Sequence, residues 1–128
     1  MTTAPKKILI VDDENSILLS LSHVLGIPGV EVLACSEIEQ AEEALAGSLF
    51  DLVIADIRMS GVDGIDGLEL LSYVKSRFNT EVIIMTGYGS QEIENEAFRR
   101  GACHFFRKPV EIKELLAKVA SLGIPVRQ

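Results

Sequence analysis

Short apolar runs alternate along the chain with longer stretches in which apolar residues recur at helical spacing. The runs are Ile8–Val11, Val30–Ala34, Leu52–Ala55, Val82–Met85 and His104–Phe106. Each has the length and composition of a strand buried in a sheet. After the first three come Ile17, Leu18, Leu21, Val24 and Leu25, then Ile38, Ala41 and Leu45, then Leu70, Leu71, Val74 and Phe78. Their spacing is that of one helix face. A less regular fourth segment carries Ile93 and Ala97, and a fifth is clear in Ile112, Leu115, Leu116, Val119 and Leu122. Gly26, Gly47, Gly101 and Gly123 stand where these helices should end and predict left-handed terminal residues, with Asn79 in the same role after the third. Ser36 with Glu39 reads as a capping box, and Ser90 as the cap of the fourth helix.

Strand and helix in strict alternation, with strands apolar on both faces, predict an α/β fold. A parallel five-stranded sheet, (βα)5, carries helices on both faces through right-handed crossovers. Ligands of such sheets bind beyond the carboxyl ends of the strands. At that edge Asp12 and Asp13 follow the first run, Asp56 the third, Thr86 the fourth, and Lys108 with Pro109 the fifth. Carboxylates brought together raise one another's proton affinity unless a cation neutralises them, and an all-oxygen set suits a hard ion such as Mg²⁺. Lys108 supplies a fixed positive charge and Thr86 a hydroxyl, the groups that hold oxygens of a transferring phosphoryl group, which leaves Asp56 as nucleophile. Taken singly, each has a plainer role. Asp12 or Asp13 could cap a helix, Thr86 could begin a turn, and Lys108 could be a solvated lysine before a helix start. Their joint placement after the right strands points to a site.

Length and composition narrow the reading further. With 128 residues, 48% of them hydrophobic, the chain is expected to form one domain (1–128, core about 7–122) that needs no disulfide. Cys35 and Cys103 lack metal-ligand spacing and read as small buried hydrophobes in a reducing compartment, the cytoplasm by default. No apolar run approaches the length of a membrane span. A formal charge of −7, without clustered Lys or Arg, argues against direct binding to nucleic acid or anionic lipid. Glu37, Glu39, Glu42 and Glu43 read as a solvated helix face, and His23 and His104 as structural.

The segments KILIVDDE, DLVIADIRMSG around Asp56, VIIMTGYGS around Thr86 and GACHFFRKP around Lys108 resemble the receiver domain of bacterial two-component response regulators, over Lys7 to Leu122. The resemblance implies a flavodoxin-like doubly wound sheet in the order 2-1-3-4-5. It implies that Asp56 takes phosphate from a phosphohistidine on a sensor histidine kinase or phosphotransfer domain. Mg²⁺, or Mn²⁺ in its place, would be held by Asp13, Asp56 and the backbone carbonyl of Arg58, with Asp12 assisting. Lys108 would contact a phosphoryl oxygen, and the Lys108–Pro109 bond would be cis. Thr86 would move inward with its loop, and Phe105 would turn from exposed to buried behind it. That motion alters the surface of the fourth helix, fifth strand and fifth helix toward an output domain or effector, with homodimer formation a further expectation. Arg58 and Tyr88 would flank the path of attacking water and tune phosphate lifetime, with slow self-catalysed dephosphorylation.

The chain departs from that pattern between Ser60 and Gly67. Ser60 replaces the family's usual Pro four residues after the acceptor, and SGVDGIDGLELL is about three residues longer than the usual connection. Gly61, Gly64 and Gly67 predict a mobile loop, and Asp63 and Asp66 read as solvated turn residues. GIPVRQ after Leu122 carries neither an effector domain nor a linker, so a stand-alone receiver and one excised from a longer regulator or hybrid kinase are both open. MTGYGS is similar to receivers attached to AAA+ transcription activators. A haloacid-dehalogenase-type phosphohydrolase would need an Asp-x-Asp motif after the first strand and a cap domain. A flavin carrier would need a hydroxyl- and Gly-rich loop where Asp12 and Asp13 would repel its phosphate. A degenerate docking module fits poorly with the intact acidic pair, Thr86 and Lys108.

Overall fold

In the computed structural model, which describes residues 4–58 and 66–127, the elements alternate as β1 (Lys6–Val11), α1 (Asn15–Leu25), β2 (Val30–Cys35), α2 (Ile38–Gly47), β3 (Leu52–Ala55), α3 (Asp66–Arg77), β4 (Glu81–Thr86), α4 (Gln91–Arg99), β5 (His104–Arg107) and α5 (Ile112–Ser121). All strand pairs are parallel and the order is β2-β1-β3-β4-β5. Alternate residues of each central strand feed opposite faces, as the two-residue period of a strand demands. Leu9, Val11, Val53, Ala55, Val82 and Ile84 pack with Ala41, Leu45, Leu71, Val74 and Ala97 of α2, α3 and α4. Ile8, Ile10, Leu52, Ile54, Ile83 and Met85 pack with Leu18, Leu21, Leu25, Leu115 and Val119 of α1 and α5. Both faces of the sheet are thus covered by helices. Only at the edge does the pattern thin, where Leu33 of β2 is exposed.

Register sets the functional edge. Val11 lies level with Cys35 on one side and Ala55 on the other. The next residues continue the ladder, with the Asp56 amide donating to the Val11 carbonyl at 3.0 Å and the Asp12 amide to the Cys35 carbonyl at 3.0 Å. Asp12 and Asp56 therefore emerge side by side. Across the sheet, Thr86 pairs with Arg107, and the Lys108 amide donates to the Thr86 carbonyl at 2.9 Å.

Several local expectations change. Ser36 and Glu39 form no capping box: Glu37 is the N-cap of α2, and the Ser36 amide donates instead to Gln40 Oε1 at 3.0 Å. Ser90 caps α4 as expected, its hydroxyl accepting from the Ile93 amide at 3.2 Å. Gly101 and Gly123 take positive φ, whereas Gly47 is the last helical residue of α2 and Gly26 has φ −80°. Gly26 is needed for space rather than handedness, since a Cβ there would meet the Ser22 carbonyl oxygen at 2.7 Å. Asn79 is not left-handed, because no described residue other than glycine has positive φ. Cys35 is buried but Cys103 only partly so, and both are free thiols.

The segment after α5 is part of the structure. Ile124 is buried against the α1 and α5 face, and the Arg127 guanidinium donates to the His23 and Val24 carbonyls at 2.8 and 3.2 Å, capping α1. His23 is exposed, while His104 packs edge-on against Phe106. No helix among the described residues is long and apolar enough to cross a membrane. Ser60, Gly61, Asp63, Gly64 and the side chain of Asp66 lie outside the described residues.

Candidate functional site

The carboxyl edge gathers four acidic side chains around one lysine. Lys108 Nζ lies 2.8 Å from Asp12 Oδ2, 2.9 Å from Asp56 Oδ2 and 3.0 Å from Glu14 Oε1. Asp12 is 1% exposed and Asp56 6%, so this lysine is the partner that makes two buried carboxylates tolerable. Their other oxygens are held by backbone. Asp12 Oδ1 accepts from the Glu14 amide at 2.9 Å, and Asp56 Oδ1 from the Arg58 amide at 3.2 Å. Asp13 is exposed, yet one oxygen each from Asp12, Asp13 and Asp56 fall within 4.8 Å of one another.

One ammonium does not balance four carboxylates. Burial pushes the Asp12 carboxyl above its ordinary value, and the hydrogen bonds from Lys108 and the Glu14 amide pull it only part of the way back. Burial alone would lower Lys108, but hydrogen bonds to Asp12, Asp56 and Glu14 outweigh it and hold the ammonium above its ordinary value. Lys108 is therefore charged throughout the neutral range. Excess negative charge on hard oxygen donors, with Asp13 open to solvent, is what a small divalent cation requires, so the residues present fit Mg²⁺.

The remaining predicted residues surround this cluster. Thr86 is fully buried at the end of β4, and its Oγ1 accepts from the Tyr88 amide at 3.0 Å. Arg58 and Tyr88 meet, with the guanidinium 4.0 Å above the phenol ring. Phe105 is buried within the α2–α4 face of the core, the inward end of its expected motion. The Lys108–Pro109 peptide bond is cis.

Two contributors were missed in the sequence. Glu14 has no role in the sequence reading, yet its position two residues beyond Asp12 lets it share Lys108. Gly67 was read as a loosening residue, but its amide donates to the Ile57 carbonyl at 2.7 Å, and a Cβ there would fall 2.0 Å from the Asp56 carbonyl oxygen. The first turn of α3 is thus docked on the backbone of Asp56. Nothing in local composition distinguishes such a close approach from flexibility.

Comparison with known proteins bears on the family and the fold. The family model for the response regulator receiver domain matches residues 8–120. The chain is 37% identical to the response regulator protein FleR of Pseudomonas aeruginosa over 89% of its own length, but spans only 24% of that relative. It is 34% identical to sporulation initiation phosphotransferase F of Bacillus subtilis, covering 86% of this chain and 87% of the other. Among solved structures, a CheY-like receiver domain protein from Methanospirillum hungatei superposes with a TM-score of 0.83 at 32% identity, covering 93% and 94% of the two chains.

Proposed function

Because this chain belongs to the response regulator receiver domain family, a phosphoacceptor switch of two-component signalling, we propose that Asp56 is the acceptor and that a phosphohistidine on a sensor histidine kinase or phosphotransfer domain is the donor. The observation that carries this reading is the convergence on Asp56 of a lysine at 2.9 Å and of the Asp12 and Asp13 carboxylates. An Asp56 oxygen attacks phosphorus, the O–P bond forms as the P–N bond breaks, and the imidazole leaves with the nitrogen electron pair. Lys108 pairs with a phosphoryl oxygen as charge moves onto the acceptor. Asp12, Asp13 and Asp56, with the Arg58 carbonyl, would hold Mg²⁺ or Mn²⁺, which when bound supplies the positive charge that lets carboxylate and phosphoryl group approach. A cavity of about 480 Å³ beside Lys108, lined by Ile17, Leu21, Met85, Pro109 and Leu115, gives a donor protein apolar purchase next to the acceptor.

The phosphoryl group then acts as a switch. Thr86 releases the Tyr88 amide and turns to a phosphoryl oxygen, its loop follows, and with Phe105 retained inward the α4-β5-α5 surface is remodelled for an output domain, an effector or a second copy. Arg58 and Tyr88, stacked on one another, would flank the path of attacking water and tune the lifetime of the phosphate. The domain is a cytoplasmic regulator that makes no nucleic-acid contact itself. It acts as one unit over 1–128, with slow dephosphorylation resetting it.

Beryllofluoride, which binds a carboxylate as a phosphoryl mimic, tests the switch. With Mg²⁺ it should shift amide NMR signals of residues 86–107 in the wild type, and in Thr86→Val the shifts should shrink to the neighbourhood of Asp56. Equal shifts in both proteins would show that Thr86 does not transmit the signal.

A further inference from the structure

Arg107 ends β5 on the same face as Phe105, two residues before it. Its Nη1 donates to the Gly89 carbonyl, its Nη2 lies 3.4 Å from Glu94 Oε1 in the first turn of α4, and the guanidinium sits 6.0 Å from the centre of the Phe105 ring. Two parts that the switch must rearrange, the loop after β4 and the start of α4, are thus gripped by one exposed side chain that also reaches the ring of the buried Phe105. Gly89 admits the grip, since a Cβ there would stand 3.1 Å from Nη1. In this arrangement the Thr86 hydroxyl accepts from the Tyr88 amide of its own loop at 3.0 Å, while the Asp56 carboxylate is held by Lys108 and the Arg58 amide. For Thr86 to reach a phosphoryl group on Asp56 the loop must move, and the Gly89 carbonyl must move with it.

We propose that Arg107 is a latch that holds the loop between β4 and α4 in its unphosphorylated position and thereby restrains phosphorylation of Asp56. This rests on the switch reading above. Phe105 has no hydroxyl with which to fix its own position, so a polar restraint on this segment falls to Arg107. The latch is broken each time the loop closes on the phosphoryl group, and loosening it favours the competent arrangement before the donor arrives.

The test is the initial rate of modification by acetyl phosphate at saturating Mg²⁺, followed by intact mass. Arg107→Gln should react about three- to tenfold faster than wild type, the range expected from one charge-assisted hydrogen bond and one screened ion pair. Gly89→Ala, which displaces only the far end of the arginine, should move the rate in the same direction. Mg²⁺ affinity should be unchanged in both. Rates equal to or below wild type in both variants, with circular dichroism and Mg²⁺ binding unaltered, would overturn the latch. Hydrogen exchange of residues 87–94 in the wild type, with and without Mg²⁺ and beryllofluoride, separates the two ideas. A change there with unaltered variant rates removes the latch alone, and no change there removes the switch and the latch together.

Discussion

Replacing Lys108 with Gln should slow modification by acetyl phosphate about a hundredfold or more, in line with the loss of a donor aimed at charge developing in a transition state. The same change should destabilise the metal-free protein by about 3 kcal/mol at neutral pH, because Asp12 and Asp56 lose the cation that offsets their burial. The stability deficit should depend on pH in a definite direction. Without Lys108 the Asp12 carboxyl, already raised by burial, rises further, so its folded value exceeds its unfolded one. The folded state then binds the extra proton, and stability increases as pH falls through that folded value. Urea denaturation at pH 7 and pH 5 should therefore show the difference between variant and wild type narrowing on acidification. In the wild type, Lys108 makes the opposite contribution: its folded value is raised, so its stabilisation is complete below its unfolded value and is lost only in strong alkali. A constant difference between the two pH values would mean that the lysine is not balancing Asp12.

Asp12→Asn should separate stability from metal binding. An amide at this position can still accept from the Glu14 amide, but one of four crowded negative charges is gone. The metal-free variant should match or exceed wild-type stability by about 1 kcal/mol, while Mg²⁺ affinity falls about ten- to a hundredfold. In the wild type, apparent Mg²⁺ affinity should weaken on acidification earlier than ordinary carboxylates would allow, since proton and ion compete for a group whose proton affinity burial has raised. In the variant that early loss should disappear. Calorimetric titration across pH checks both statements, and an unchanged affinity at pH 7 would remove Asp12 from the metal site.

Why so much of the architecture was legible follows from the strands. β3 is a four-residue apolar run buried on both faces, and its observed limits, Leu52–Ala55, are those of the hydrophobic run itself. Where strands extend into polar residues, at Lys6 and Lys7, Glu81 and Arg107, hydrophobicity ends before the ladder does. The site was legible because parallel register carries the residue after each strand to the same edge, as with Asp12 beyond Val11 and Asp56 beyond Ala55. What stayed hidden depends on contacts between distant segments. Glu14 shares a lysine 94 positions away, Gly67 docks on the Asp56 backbone, and Arg107 reaches back 18 positions to Gly89. Each belongs to a residue type that an isolated stretch of chain would assign to solvent or to a turn.

The most direct measurement is the intact mass of wild type and Asp56→Asn after incubation with acetyl phosphate and Mg²⁺. A gain of a single phosphoryl group, labile to hydroxylamine and present in the wild type only, is the predicted result. A gain of equal size in both proteins, or none in wild type with Mg²⁺ bound and hydrolysis too slow to hide the adduct, would contradict the assignment of Asp56 as acceptor.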